Sequence, residues 1–407
     1  MAKSSGTMRV LVTHPGIQHA HQLAWALEEA GHLAGFWSGV PIVDARDSKH
    51  EFWGIFRDRL RAVPIPASKR RHAVGFPLLR RLFSTVLSNE AANAWNHRLD
   101  HVHDIWVARR VRKLRPGMVV CYENSALHTF RAARAVGAVC VLDAASIHYQ
   151  SARIWGGNAV PRDPVWIDTQ KQQEIDLADA ILTCSELAAE TYRAAGVPSE
   201  KLFPLPLGTD FVELPPPARA ADGPCRFVFV GSLIRRKGID MLLDIFGELE
   251  REGAPATLTL IGGVPEADHG ARAMGNVIYH PFMPQSELFK EVASHDCLLL
   301  PSRFDSFGMV VPEAMAVGVP AIVTDRVGAK CIIEQHPDAG WIVPCETEAI
   351  KAQIMQLVQQ RQRLIRASAA AKRAARDYSW VSYRLRVAHT LEDIYARFGT
   401  GQAIRIE

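Results

Sequence analysis

The sequence has no Cys-x-x-Cys pair, no Asp-x-Asp pair, no low-complexity tract and no run approaching the ~18 apolar residues that a membrane span requires. Its seven cysteines, Cys121, Cys140, Cys184, Cys225, Cys297, Cys331 and Cys345, are odd in number and widely spaced. That pattern forms neither a disulfide framework nor a zinc cluster. Several lie in apolar runs, as Cys297 does before Leu298, Leu299 and Leu300, where a free thiol acts as a small hydrophobe. A reducing compartment is the simplest reading. Residues 1–8 are short and polar and lack a signal-peptide core. The chain is therefore expected to be cytoplasmic, either soluble or peripheral at the inner face of the cell membrane. With no metal motif, no metal is required, and no cofactor is expected. The charge is nearly balanced, at +4 with His neutral, so composition selects no partner.

What is present is a βα rhythm. A strand over residues 9–13 breaks at His14, Pro15 and Gly16, a helical pattern covers 18–30, Gly31 ends it, and 33–37 is a second strand. Strands at 118–122 and 139–143 flank a helix at 126–136. Another strand, 180–184, leads to Ser185, a fitting N-cap for a helix over 186–195. A Pro/Ala/Gly-rich connection follows, then a second series with strands at 227–230, 257–261, 277–279, 297–300 and 321–324 and helices at 241–251, 285–293 and 311–317. The expected fold is α/β, two facing doubly wound domains. Their bounds are 8–210, a linker at 211–225, 226–380, and a last helix at 381–407 returning to the first domain. In open α/β sheets ligands bind outside the strand carboxyl ends, so the cleft between the domains is the expected site.

The most informative stretch is LPSRFDSFGMVVPEAMAVGVPAIV, residues 300–323. A strand ends at Leu300, a polar loop carries Asp305, Gly308 lets the backbone approach a ligand, and a helix carries Glu313. The two carboxylates, eight positions apart, can address two ends of an extended ligand. N–H groups at such a turn suit phosphate. A second stretch, FVFVGSLIRRKG over 227–238, sets Arg235, Arg236 and Lys237 after a strand end, where cations can stabilise charge developing on a leaving group.

The first stretch resembles the E-x7-E motif of the retaining GT-B glycosyltransferases grouped in family 4, with Asp305 where that family usually has Glu. The second is similar to the family's pyrophosphate-binding segment. The resemblance covers residues 180–400 well and 8–180 mainly in rhythm. It implies transfer of a sugar, with retention, from a UDP, GDP or ADP sugar to a saccharide or lipid-linked acceptor, as in polysaccharide or lipopolysaccharide synthesis. Glu313 would hold the ribose and Asp305 would lie beside the donor sugar. The backbone of Gly308, Met309 and Val310 would approach the phosphates. Lys237 matches the family lysine; Ser232 stands where many members have Arg, a cation that Arg235 or Arg236 replaces. Gly16, in HPGIQHAH, would face the donor from the first βα turn. His148 resembles a histidine that faces the donor sugar, or is an ordinary loop histidine. His280 faces the base or sits in a surface turn. In PLPLGTD, Gly208 and Asp210 match the family's turn leading out of the first domain, and Asp210 reads as a structural hinge residue.

Residues 57–81 carry eight cations, among them Lys69, Arg70, Arg71, Arg80 and Arg81, against the single acid Asp58. Val63, Ile65, Val74, Phe76, Leu78 and Leu79 are interleaved. This composition suits an anionic membrane surface or a solvated insertion; Phe76, with Phe83 just beyond the segment, makes a poor stacking platform for nucleic acid. His97, His101 and His103 lie on a stretch of helical pattern without a recognised metal motif. Two other readings stay open: a non-catalytic carbohydrate- or lipid-binding adaptor of the same fold, and a nucleotide-sugar epimerase.

Overall fold

The structure is a computed structural model that describes residues 8–40, 42–44, 61–73, 79, 89–157, 164–211, 214, 223–263 and 274–399. Strands run in chain order as β1 (Val10–His14), β2 (Leu33–Ser38), β3 (Ile42–Asp44), β4 (Arg61–Val63), β5 (Arg70–His72), β6 (Met118–Tyr122), β7 (Val139–Ala144), β8 (Ala180–Thr183) and β9 (Leu202–Pro204). After the crossover come β10 (Cys225–Val230), β11 (Ala256–Ile261), β12 (Val277–His280), β13 (Cys297–Leu300), β14 (Ala321–Thr324) and β15 (Gly340–Val343). The first lobe is a seven-stranded sheet ordered β5-β2-β1-β6-β7-β8-β9, and the second a six-stranded sheet ordered β12-β11-β10-β13-β14-β15. All pairings within both sheets are parallel. The central strands are buried along their length, as β7, β8, β13 and β14 are. Helices covering both faces explain why these strands are continuous apolar runs rather than alternating ones.

Each sheet reverses direction at its first strand: β1 lies between β2 and β6, and β10 between β11 and β13. The loops at these switch points form the two walls of a cleft. The chain crosses between lobes twice, and the crossings are bonded to each other. Thr209 N donates to Tyr378 O at 2.8 Å and Trp380 N to Thr209 O at 3.1 Å. Helix Trp380–Phe398 then packs on helix Ala20–Glu29 of the first lobe. There Arg384 donates to Gln22 Oε1 at 2.9 Å and stacks 4.0 Å above the Trp25 ring. Most of the expected linker lies outside the described residues.

The basic segment differs from its expectation. Residues 61–63 and 70–72 are strands, not one surface stretch, and Val63 and Ile65 are buried in the core beneath helix Ala20–Glu29. Lys69 pairs with Glu28 at 2.7 Å, Arg70 sits in the edge strand beside Phe36, and Arg71 stacks 5.6 Å from the Trp37 ring. Burial leaves Val63 and Ile65 with almost no surface to offer a membrane. Arg80 and Arg81 lie outside the described residues. Among the described residues no helix is long and apolar enough to cross a membrane, and no cluster of His, Cys, Asp and Glu has metal-binding geometry. All seven cysteines are free thiols.

Candidate active site

The cleft holds a cavity of about 620 Å³ lined from both lobes. From the second lobe come Gly231, Arg236, Lys237, the run 304–310 and Glu313; from the first come Gln18, His19, Glu123, Ser146, Lys171 and Glu174. The positions of Asp305, Gly308, Met309, Val310, Glu313, Lys237 and Arg236 are thus brought together.

Local structure fixes each of them. The loop after β13 is a bridged segment: Asp305 N donates to Arg326 O and Gly328 N to Asp305 O, both at 2.9 Å. Gly308 has φ +92°, and a Cβ there would lie 2.9 Å from Leu300 Cδ2 and 3.1 Å from Val327 Cγ1. Only glycine takes that turn without strain. The first bond of the following turn runs from Val311 N to Gly308 O, so the N–H groups of Met309 and Val310 precede it. Helix Val310–Ala316 then presents Glu313 to the cavity.

The basic turn is tied to this loop. Arg303 N donates to Arg236 O at 2.9 Å, and the Arg303 guanidinium forks onto Asp240 at 2.7 and 2.9 Å. Gly238 is left-handed, and a Cβ would lie 2.1 Å from Pro301 O. Arg236 donates to Phe304 O at 3.2 Å and stacks on the Phe304 ring. The Lys237 ammonium is ion-paired with the Asp305 carboxylate. Two motifs far apart in sequence therefore form one rigid wall.

The electrostatics follow from burial. Burial, with Asp210 adding to it, pushes the Glu313 carboxyl up to about 7. Burial alone would lower the His19 imidazole, but Asp143, 2.9 Å away, and Glu123 outweigh it and raise the group. Burial also raises Glu123, opposed by Ser146 and Lys171. Burial lifts Glu174 to about 8 although its carboxylate accepts from Asn124 N and Ala126 N.

Four expected positions do not reach the cavity. His148 caps helix Tyr149–Gly156: its N–H donates to Thr191 Oγ1 at 2.9 Å and its ring accepts from Gln150 N. It is buried there against Tyr149 and Tyr192, its pKa lowered to about 4 by burial, then by Lys171. The histidine at the cavity is His19. Gly16 donates to His14 Nδ1 at 2.8 Å, and Gln18 and His19 carry the turn's contact instead. Ser232 is exposed, and its neighbour Gly231 lines the cavity. His280 is half-buried at the end of β12, its carbonyl held by Gly262 N. Asp210, read as a hinge residue, lines an adjoining space of about 360 Å³ with Gln285, Trp380, His21 and Glu313. Asp143, Glu123, Lys171 and Glu174 carry no sequence motif; they meet only because β6, β7 and helix Val165–Leu177 are neighbours in space.

Comparison with known proteins agrees with this architecture. The family described as glycosyl transferases group 1 matches residues 212–376. A putative colanic acid biosynthesis glycosyltransferase, WcaL of Escherichia coli (strain K12), is 27% identical over 187 residues, covering 42% of this chain and 46% of the relative. The chain thus spans about half the length of the curated relatives it matches first. The solved structure of WaaG, a glycosyltransferase involved in lipopolysaccharide biosynthesis, superposes with a TM-score of 0.61 at 15% identity over 94% of this chain and 99% of that one. Anabaena Alr3699/HepE in complex with UDP gives a TM-score of 0.62 at 14% identity, over 95% and 100%. The chain thus has the GT-B fold of these solved structures, and its second lobe matches the glycosyl transferases group 1 family over residues 212–376.

Proposed function

We propose that the chain is a retaining glycosyltransferase that moves a sugar from a nucleoside-diphosphate sugar to a saccharide or lipid-linked saccharide. The observation that carries this reading is the alignment of Glu313, the Met309–Val310 backbone, Lys237 with Arg236, and Asp305 along one wall of one cavity. Glu313 accepts the ribose hydroxyls. The N–H groups, Lys237 and Arg236 hold the diphosphate, whose charge grows as the glycosidic bond breaks. Asp305 lies beside the anomeric carbon and stabilises positive charge there. The acceptor enters from the first lobe, past Gln18, Glu123 and Lys171. Lys237 and Arg236 supply the leaving-group charge, so the reaction needs no divalent metal. A UDP donor is tested first, because HepE was solved with UDP; GDP and ADP sugars follow. The colanic acid and lipopolysaccharide relatives support an envelope polysaccharide as the product.

The deciding experiment is release of nucleoside diphosphate from a panel of nucleotide sugars, with and without saccharide acceptors. Turnover supports the enzyme. Tight binding with no turnover supports a binding adaptor, and interconversion of the sugar without transfer supports an epimerase.

We place the protein in the cytoplasm, at the inner face of the membrane, with the cations of the 57–81 segment attracting it to anionic lipid. Sedimentation with anionic vesicles tests this. Binding that falls with salt and fails when Lys69, Arg70, Arg71, Arg80 and Arg81 become Gln supports it; equal sedimentation of both forms at every salt concentration refutes it.

A further inference from the structure

Away from the cleft, a second concavity of about 480 Å³ lies between two packed helices of the first lobe, Asn89–Leu114 and Leu127–Arg134. Its walls are Arg109 and Arg112 from one helix and His128 and Arg131 from the other. Each pair is three positions apart and so shares a helix face. Ile105, Ala108 and Ala132 complete its lining, none of them charged.

No acid lines this groove. The nearby carboxylate of Asp104 is buried beneath it, with both oxygens committed to the N–H groups of His128 and Thr129 at 2.6 and 2.8 Å. Neighbouring arginines are differently placed. Arg134 pairs with Asp179 and donates to Leu177 O, and Arg110 stacks on Trp106 and donates to its carbonyl. Among the described residues, no carboxylate pairs with Arg109, Arg112 or Arg131; Arg131 reaches only Gln173 Oε1, at 3.3 Å. Like charges three apart on a helix repel. An array of this kind, on two helices facing one hollow, is stabilised by an anion between them. Three planar guanidinium forks match the oxygens of a phosphate group, which takes them bidentately.

We infer that this groove is a binding site for a phosphate group, separate from the donor cleft. A phospholipid headgroup and a free phosphate compound share that chemistry.

The test uses the full chain at fixed ionic strength, titrated calorimetrically with inorganic pyrophosphate. The forms compared are wild type, Arg109→Gln/Arg112→Gln/Arg131→Gln, the Lys triple at the same positions, and Lys237→Ala. The side chains are exposed, and circular dichroism with a melting curve confirms that each variant folds. Wild type and Lys237→Ala should both bind at the groove. The Gln triple should lose about tenfold or more in that affinity, and the Lys triple should also weaken because the forks are gone. Single Arg→Gln changes should give graded losses. Wild-type affinity and stoichiometry in the Gln triple would overturn the inference, and so would an unchanged Lys triple, which would mean diffuse charge only. Phosphatidylcholine vesicles with and without phosphatidylglycerol separate the sources. Groove-dependent capture by the anionic vesicles identifies a headgroup; pyrophosphate binding without capture identifies a free phosphate compound. Because Lys237→Ala leaves all three groove arginines in place and the Gln triple leaves the cleft intact, loss of binding in the triple alone is read independently of the donor assignment.

Discussion

The Ser185 hydroxyl of the first lobe donates across the cleft to the Ser306 carbonyl of the second at 2.6 Å. Ser306 Oγ in turn accepts from Ile147 N at 3.0 Å. The residue next to Asp305 is thereby held by the opposite lobe, and Ser185 also caps helix Glu186–Ala194 through Ala188 N. Ser185→Ala should cost about 1–2 kcal/mol of stability and lower turnover by loosening the Asp305 loop. Urea unfolding and steady-state rates check this; a stability equal to wild type would remove Ser185 from both roles.

Glu313 should make donor binding pH-dependent. Its folded pKa, about 7, lies above the ordinary 4.5. The folded chain therefore holds this proton more tightly than the unfolded one. The resulting stability is complete below pH 4.5 and is lost as pH rises through about 7. Donor affinity should move the opposite way, because the ionised carboxylate is the better acceptor for ribose hydroxyls. Asp210→Asn should shift that midpoint to lower pH, and Glu313→Gln should abolish the dependence while weakening binding. Titrations between pH 5.5 and 8.5, a range chosen to bracket the Glu313 value, measure both; a flat wild-type curve would exclude Glu313 from ribose recognition.

Lys237→Ala should lower kcat by about 10²–10³-fold, with a smaller change in donor Kd, because the charge that Lys237 meets develops in the transition state. The variant also leaves Asp305 without its ion-pair partner. Activity should survive EDTA in the wild type. An equal loss in binding and turnover, or activity that vanishes with EDTA and returns with magnesium or manganese, would contradict this division of labour.

Gly308→Ala should cost about 1–3 kcal/mol, the scale of a residue forced into a sparsely populated backbone region. The new Cβ meets Leu300 and Val327, which are both buried. Donor affinity should fall as well, since the N–H groups of Met309 and Val310 follow that turn. Thermal unfolding and donor titration on one preparation give both numbers. An unchanged Tm would show that the loop relaxes freely.

The sequence made the long parallel strands visible, because buried strands are apolar throughout, and the E-x7-E-like stretch visible, because its carboxylates and glycine lie on one short segment. It did not reveal β3, β4 and β5. These are three residues each, and β5 is Arg70, Arg71 and His72, whose composition gives no strand signal. Val63 and Ile65 read in sequence as the apolar side of a membrane segment, but both are buried in the core of the first lobe. The choice between His148 and His19 was likewise invisible. It depends on Thr191 and Gln150 holding one histidine as a cap, and on Asp143, at the end of β7, drawing the other to the cleft. The Thr191 and Asp143 contacts join residues 43 and 124 positions apart, and no local pattern records them.

The central claim is transfer with retention from a nucleotide sugar, and slow hydrolysis of the donor tests it without knowledge of the acceptor. An α-linked donor is mixed with the enzyme and proton NMR spectra are taken before the released sugar mutarotates. The α anomer should appear first, at a rate that falls sharply in Lys237→Ala and Glu313→Ala. First appearance of the β anomer, or no release from any nucleotide sugar that binds, would contradict it.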